Sequence, residues 1–230
     1  MKLKKIASLM LAGIMAVSML AGCNGSTPVD DDPASSTPVV SDVVEYANGA
    51  LSGTEKGVFT FKSSTELDTA LQAAANDKSK FSSKEIEDVF TNNLNSAKWA
   101  GDAKYPNSDL KDVLSAVKGK ISGIVEENLC DQAPDDGKSQ KAVDVYVISG
   151  ALEEKVAIEK VVDLFNVHGG GTEINATNYP NASEKSNYTY TYSAEISAVK
   201  VASADKTNNS AWVVAIVVTQ TATEAANAHK

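Results

Sequence analysis

The chain holds two histidines and two cysteines in 230 residues. Neither HxxxH nor CxxC spacing occurs, which argues against a structural or catalytic zinc site. Ser149 is placed between an expected strand and an expected helix, the setting of a nucleophile elbow. That sharp turn needs glycine two residues before and two after, and the chain has Val147 and Ala151 there. Ser149 therefore reads as a helix-capping serine. The acidic turn Asp131–Gly137 lacks the calcium-loop pattern, with Ala133 at the third position and Asp136 at the sixth. His168 precedes Gly169, Gly170 and Gly171. That glycine run leaves a helix C-terminus, the wrong end of the dipole for phosphate. Glu126-Glu127 and Glu153-Glu154 are adjacent in sequence, so on a helix their side chains diverge by about 100° and neither pair converges on a substrate. No cofactor is implied.

The chain also lacks an excess of positive charge and an apolar run long enough to cross a bilayer. The formal net charge is −9, and an acidic surface repels a phosphate backbone, so nucleic acid is not an expected partner. The run Ile6–Leu20 is 15 residues, shorter than the roughly 18 that a spanning helix requires.

What is present begins at the first residue. Lys2, Lys4 and Lys5 lead into Ile6–Leu20, and Leu20, Ala21, Gly22 and Cys23 follow. A basic start, a short apolar stretch and small residues before a cut form a secretory signal. The quartet ending in Cys23 resembles the lipobox of bacterial lipoproteins. The resemblance covers residues 1–23. It implies cleavage after Gly22, acylation of the Cys23 thiol and a lipid anchor on the extracytoplasmic face of the cell membrane. More than one acyl chain gives stable anchoring, since each buried CH₂ contributes about 0.8 kcal/mol.

Loss of residues 1–22 with their three lysines takes the formal net charge from −9 to −12 over 208 residues. With Cys23 acylated, Cys130 has no disulfide partner. Its neighbours Glu126, Glu127 and Asp131 oppose thiolate formation, so Cys130 reads as a small apolar residue. Residues 23–38, small, polar and acidic with prolines, read as the lipidated cysteine and a disordered tether. The sequons at Asn175, Asn181, Asn187 and Asn208 read as asparagine-rich surface, since the lipobox implies a bacterial source.

From residue 39 to 222 the pattern is one α+β domain, with residues 223–230 as a polar tail. A first helix is expected over 39–51. Val58–Phe61 is a strand candidate. A second helix opens with Ser63 and Glu66 at capping-box spacing, and a third with Ser82 and Glu85. A fourth carries an apolar stripe from Leu110 to Leu129. A β-α-β-β unit follows: a strand over 142–148, a helix over 151–167, a strand over 188–202 and a strand over 211–219. The predicted architecture is N-terminal helices packed on an antiparallel sheet of three or four strands. In the strand from Tyr188 the apolar phase moves from even positions to Val199 and Val201, the mark of a bulge or a change of cover.

The nearest approach to a ligand site is aromatic. Tyr188, Tyr190 and Tyr192 share one face of a strand, with Tyr179 before them and Trp99 elsewhere. Tyrosines in such a row form either a stacking platform for a glycan or peptide, or cover for the core. The expected function is a membrane-anchored extracytoplasmic lipoprotein. Its domain is expected to bind or scaffold, with a glycan, peptide or envelope protein as partner. The alternative is a hydrolase of envelope or extracellular polymer whose site is assembled from distant residues.

Overall fold

The computed structural model describes residues 42–52, 55–77, 96–100, 109–125, 129, 137–168, 188–202 and 210–224. Met1–Ser41 form a separate unit from Asp42–Lys230, and every described element belongs to the second. Cys23, the tether, the expected helix from Ser82, Cys130 and Tyr179 lie outside the described residues.

The fold is α+β. Among the described residues there are four helices, α1 (Val43–Ala50), α2 (Thr65–Ala75), α3 (Asp109–Lys118) and α4 (Glu154–His168). The strands are β1 (Phe61–Lys62), β2 (Lys98–Trp99), β3 (Ser139–Ser149), β4 (Tyr188–Ala202) and β5 (Ser210–Glu224). The sheet order is β1-β4-β5-β3-β2. β5 is antiparallel to both long neighbours, and these three strands are the antiparallel sheet that the periodicity predicts. Two-residue edge strands raise the total to five, and β1 makes the sheet mixed by pairing parallel to β4. β2 has no strand signature in the sequence, because its two residues are held by pairing to Tyr146 and Val147 rather than by local preference.

Both faces of the sheet are covered. Even-numbered residues of β3, β4 and β5, such as Tyr146, Ile196 and Ile216, pack against α1 and α4. Odd-numbered residues, such as Val145, Val201 and Val213, pack against α2 and α3. Val213 to Val218 are accordingly all buried, as expected for a strand apolar at nearly every position. The pairing of β4 with β5 runs from Tyr188↔Glu224 to Ala202↔Ser210 without interruption. The phase change at Val199 is thus a change of cover and not a bulge.

Several local expectations are corrected. Ser64, not Ser63, caps α2, its Oγ accepting from Leu67 N at 3.4 Å. Glu66 leaves the cap and accepts from Ser122 N and Oγ, at 3.3 and 3.4 Å, tying α2 to the turn after α3. α3 stops at Lys118. The apolar stripe continues beyond it through a turn in which Gly123 has φ +78°, conformational freedom that favours glycine. Ile121 is still buried there, and Ile124 bridges to Lys141 of β3. The strand expected to end at 219 runs on through polar residues into the first two positions of the expected tail. β5 continues to Glu224 with Gln220 and Ala222 fully buried.

The β3–α4 connection requires glycine at Gly150. Its N–H donates to Ser210 O at 2.7 Å, and a Cβ there would stand 2.6 Å from the Ser210 carbonyl carbon. At the opposite edge, the Asn48 side chain does what a further strand would do. Its Nδ2 donates to Phe61 O at 3.0 Å and its Oδ1 accepts from Phe61 N at 2.8 Å, closing the outer edge of β1. Asn48→Ala strands a donor and an acceptor on buried Phe61 and should cost about 2 kcal/mol of stability. Gly49→Ala, one residue along α1 where nothing lies within 4 Å of the new Cβ, should instead stabilise by about 0.5 kcal/mol. Chemical denaturation of the two variants should give opposite signs.

Candidate functional site

The strand spacing places Tyr190 and Tyr192 on the α1/α4 side of the sheet, and burial separates them. Tyr190 is 2% exposed. Tyr192 is half-buried against the core, and its hydroxyl accepts from Gln220 Nε2 at 3.0 Å. Gln220 Oε1 in turn accepts from Gln140 Nε2 at 2.7 Å. Gln140, Gln220 and Tyr192 stand directly opposite one another in the pairing register, so the bonds form one row across three strands. Neither glutamine is apparent as a core residue in sequence; each sits among polar neighbours at a strand end. Tyr188 pairs with Glu224 through the backbone. The described aromatic side chains therefore form no shared exposed platform.

Trp99 lies on β2, three strands from β4, or about 14 Å. Its Nε1 donates to Asp144 Oδ1 at 2.9 Å. Asp144 is an even residue of β3 and faces the same side of the sheet as Tyr146. Burial pushes its pKa up to about 6, against the opposing effects of the Trp99 hydrogen bond and the Lys118 charge. Burial and then the Asp144 charge hold the Tyr146 phenol well above its ordinary range, and its hydroxyl has no hydrogen-bond partner among the described residues. Alternation places an acid here in an otherwise apolar strand (Val143, Val145, Val147), and that isolated Asp144 is the signal available in the sequence.

The residues considered for catalysis are not brought together. Ser149 is buried at the end of β3, and its Oγ accepts from Ala151 N at 3.2 Å. It caps the turn before α4 and not the helix itself, whose first turn is closed by Ala157 N donating to Glu153 O. His168 ends α4, about 20 Å along the axis from Glu154. Among the described residues no group of three or more histidine, cysteine, aspartate or glutamate side chains is placed to hold a metal ion.

Two concavities are lined by described residues well enough to compare. One, of about 340 Å³, opens at the sheet edge between the Lys56–Thr60 segment and Tyr192-Ser193. The other, of about 530 Å³, lies along α3 and the turn after it. The second is the better candidate. Its lining combines apolar side chains (Leu114, Ile121, Ile124) with Lys111 and Lys118, the mixture of mostly apolar wall and few polar groups common in ligand pockets. Apart from Ala100, its described lining residues come from one continuous segment whose apolar stripe predicts a single helix. The helix stop at Lys118 is what folds Ile121 and Ile124 back alongside Leu114. No family model, curated protein or solved structure matches the chain.

Asp144 makes stability depend on pH. Its folded pKa of about 6 exceeds the ordinary 3.8, so the folded state holds the proton where the unfolded state has lost it. Stability contributed at this position is greatest below about pH 4 and declines as pH rises through 6. Asp144→Asn keeps an acceptor for Trp99 and removes the charge. The variant should equal the parent near pH 4 and exceed it by about 2 to 3 kcal/mol at pH 7. Denaturation curves from pH 4 to 7 test this; parallel curves would refute it.

Proposed function

We propose that this chain is a bacterial lipoprotein, anchored by acyl chains on Cys23 to the extracytoplasmic face of the cell membrane. Its folded domain binds or scaffolds rather than catalyses. The observation that carries the reading is the register of the first 23 residues: three lysines, the apolar run Ile6–Leu20, then Leu20-Ala21-Gly22-Cys23. The run is too short to span a bilayer, and the cysteine stands where the lipobox places the acyl acceptor. Among the described residues no helix is long and apolar enough to cross a membrane.

Two findings support a binding role. Ser149, the serine in a strand-to-helix setting, is enclosed and engaged with backbone, so it is not presented to a substrate as an elbow nucleophile would be. The concavity along α3 has an apolar floor and a cationic rim, a composition suited to holding a ligand.

Anchoring is tested by feeding cells an alkyne-tagged palmitate and fractionating them. The parent chain should carry the tag and sediment with membranes. Cys23→Ser should lose the tag completely and leave the membrane fraction or accumulate unprocessed. An untagged, soluble parent chain would exclude the anchor.

A further inference from the structure

The flank of α3 provides two kinds of surface in one groove. The helix buries Leu110, Val113 and Val117 in the sheet core. Leu114, about 40° round the helix from Leu110, stays half-buried and lines the groove beside Ile121 and Ile124. Buried Ala100 closes the back. Lys111 and Lys118 stand one above the other on the same flank, seven residues and about 10 Å apart.

Charge and hydrogen-bonding capacity then narrow the ligand. The chain is acidic overall, yet among the described lining residues both charged side chains are cations. Lys111 is half-buried, and it makes no hydrogen bond or ion pair with any described residue. A cation set beside an apolar wall favours an anion. Apart from the two lysines, Ser115 is the one polar side chain among the described lining residues. A bound peptide would bring backbone N–H and C=O groups that need partners, whereas a hydrocarbon chain needs none. The volume of about 530 Å³ lies within the range of small-ligand sites.

We infer that the α3 groove binds a single-chain fatty carboxylate. The alkyl chain lies along Leu114, Ile121 and Ile124, and the carboxylate sits at the lysine rim, nearest Lys111. The inference rests on the binding half of the proposed function and not on the anchor.

The test is calorimetric titration of the full chain carrying Cys23→Ser, in detergent-free buffer, with dodecanoate at concentrations where it is monomeric. One site per chain is expected. Decanoate, two CH₂ groups shorter, should bind roughly tenfold more weakly. Dodecanol, with the same tail and no charge, should lose at least about tenfold, as should dodecanoate with Lys111→Glu, since a charge-assisted contact is worth about that factor. Lys111 is on the rim, and an unchanged melting temperature would show that its replacement leaves the fold intact. No heat of binding, equal affinity for dodecanol, or affinity unaffected by Lys111→Glu would each overturn the assignment. So would several weak sites that ignore the substitution, the signature of surfactant adsorption. Because Cys23 is replaced, a failed titration leaves the palmitate result standing, and a failed palmitate experiment leaves the titration standing.

Discussion

β5 is bonded along both edges and covered on both faces, and the other elements take their positions from it. β3 and β4 run parallel to each other, joined through α4, and leave a gap one strand wide, with two inter-strand spacings of about 4.8 Å across it. The last described segment of the chain fills that gap. Its hydrogen bonds reach residues 139–149 on one side and 188–202 on the other, so the centre of the sheet is completed by the last of the described strands. Val213, Ala215 and Val217 enter one core while Val214, Ile216 and Val218 enter the other. At about 1.5 to 3 kcal/mol for each fully buried valine or isoleucine, this one strand is a large part of the hydrophobic driving force.

Helix length then decides the composition of the strands. The strands of 15 residues extend about 50 Å, whereas α2, with 11 residues, covers about 16 Å. Odd positions are apolar where helices reach them, at Val143, Val145, Val199, Val201, Val213 and Val217. They turn to Ser139, Thr191, Ser193, Thr219 and Thr221 where the cover ends. Threonine and serine suit a half-solvated sheet because they keep extended geometry without presenting an apolar patch. The bonds Ser139 Oγ to Thr221 Oγ1, 2.7 Å, and Thr189 Oγ1 to Thr223 O, 3.2 Å, hold part of this surface to itself.

This dependence explains what was legible in the sequence. β4 reads at its full length, Tyr188 to Ala202, because alternation persists through it. β5 reads as doubly covered because its apolar residues are continuous. Its last five residues do not read as strand, since Gln220 looks like surface until Gln140 and Tyr192 are set beside it by register. α3 reads too long, because a hydrophobic stripe marks burial and not helix, and the turn through Gly119 and Gly123 keeps Ile121 buried and Ile124 partly buried. β1 and β2 are too short to carry a period. The groove along α3 was illegible for the same reason as the helix stop, which creates it. The paired lysines are visible in sequence only as ordinary helix-surface charges.

The polar groups inside the domain divide by what answers them. Gln140, Gln220 and Tyr192 answer one another across the sheet, and the row fixes register, because a slip by one residue would turn the glutamines to the other face. Asp144 is answered by Trp99 and by protonation, which limits the cost of its burial. Glu66 gathers Ser122 and Lys141, the latter at 3.5 Å. The Ser122 backbone bond comes first among the causes that draw its pKa down, followed by the Lys141 charge. Each of these contacts joins two elements that the fold must hold together, and each is complete within the chain. Lys111 differs: it joins nothing among the described residues, and it lines a groove with Leu114 and Ile124, which are apolar and only partly covered. A charge whose partner is internal is accounted for by the fold. A half-buried charge with no partner among the described residues, set in an apolar groove, is open to the anion proposed above, and this separates the α3 groove from the other polar clusters of the domain.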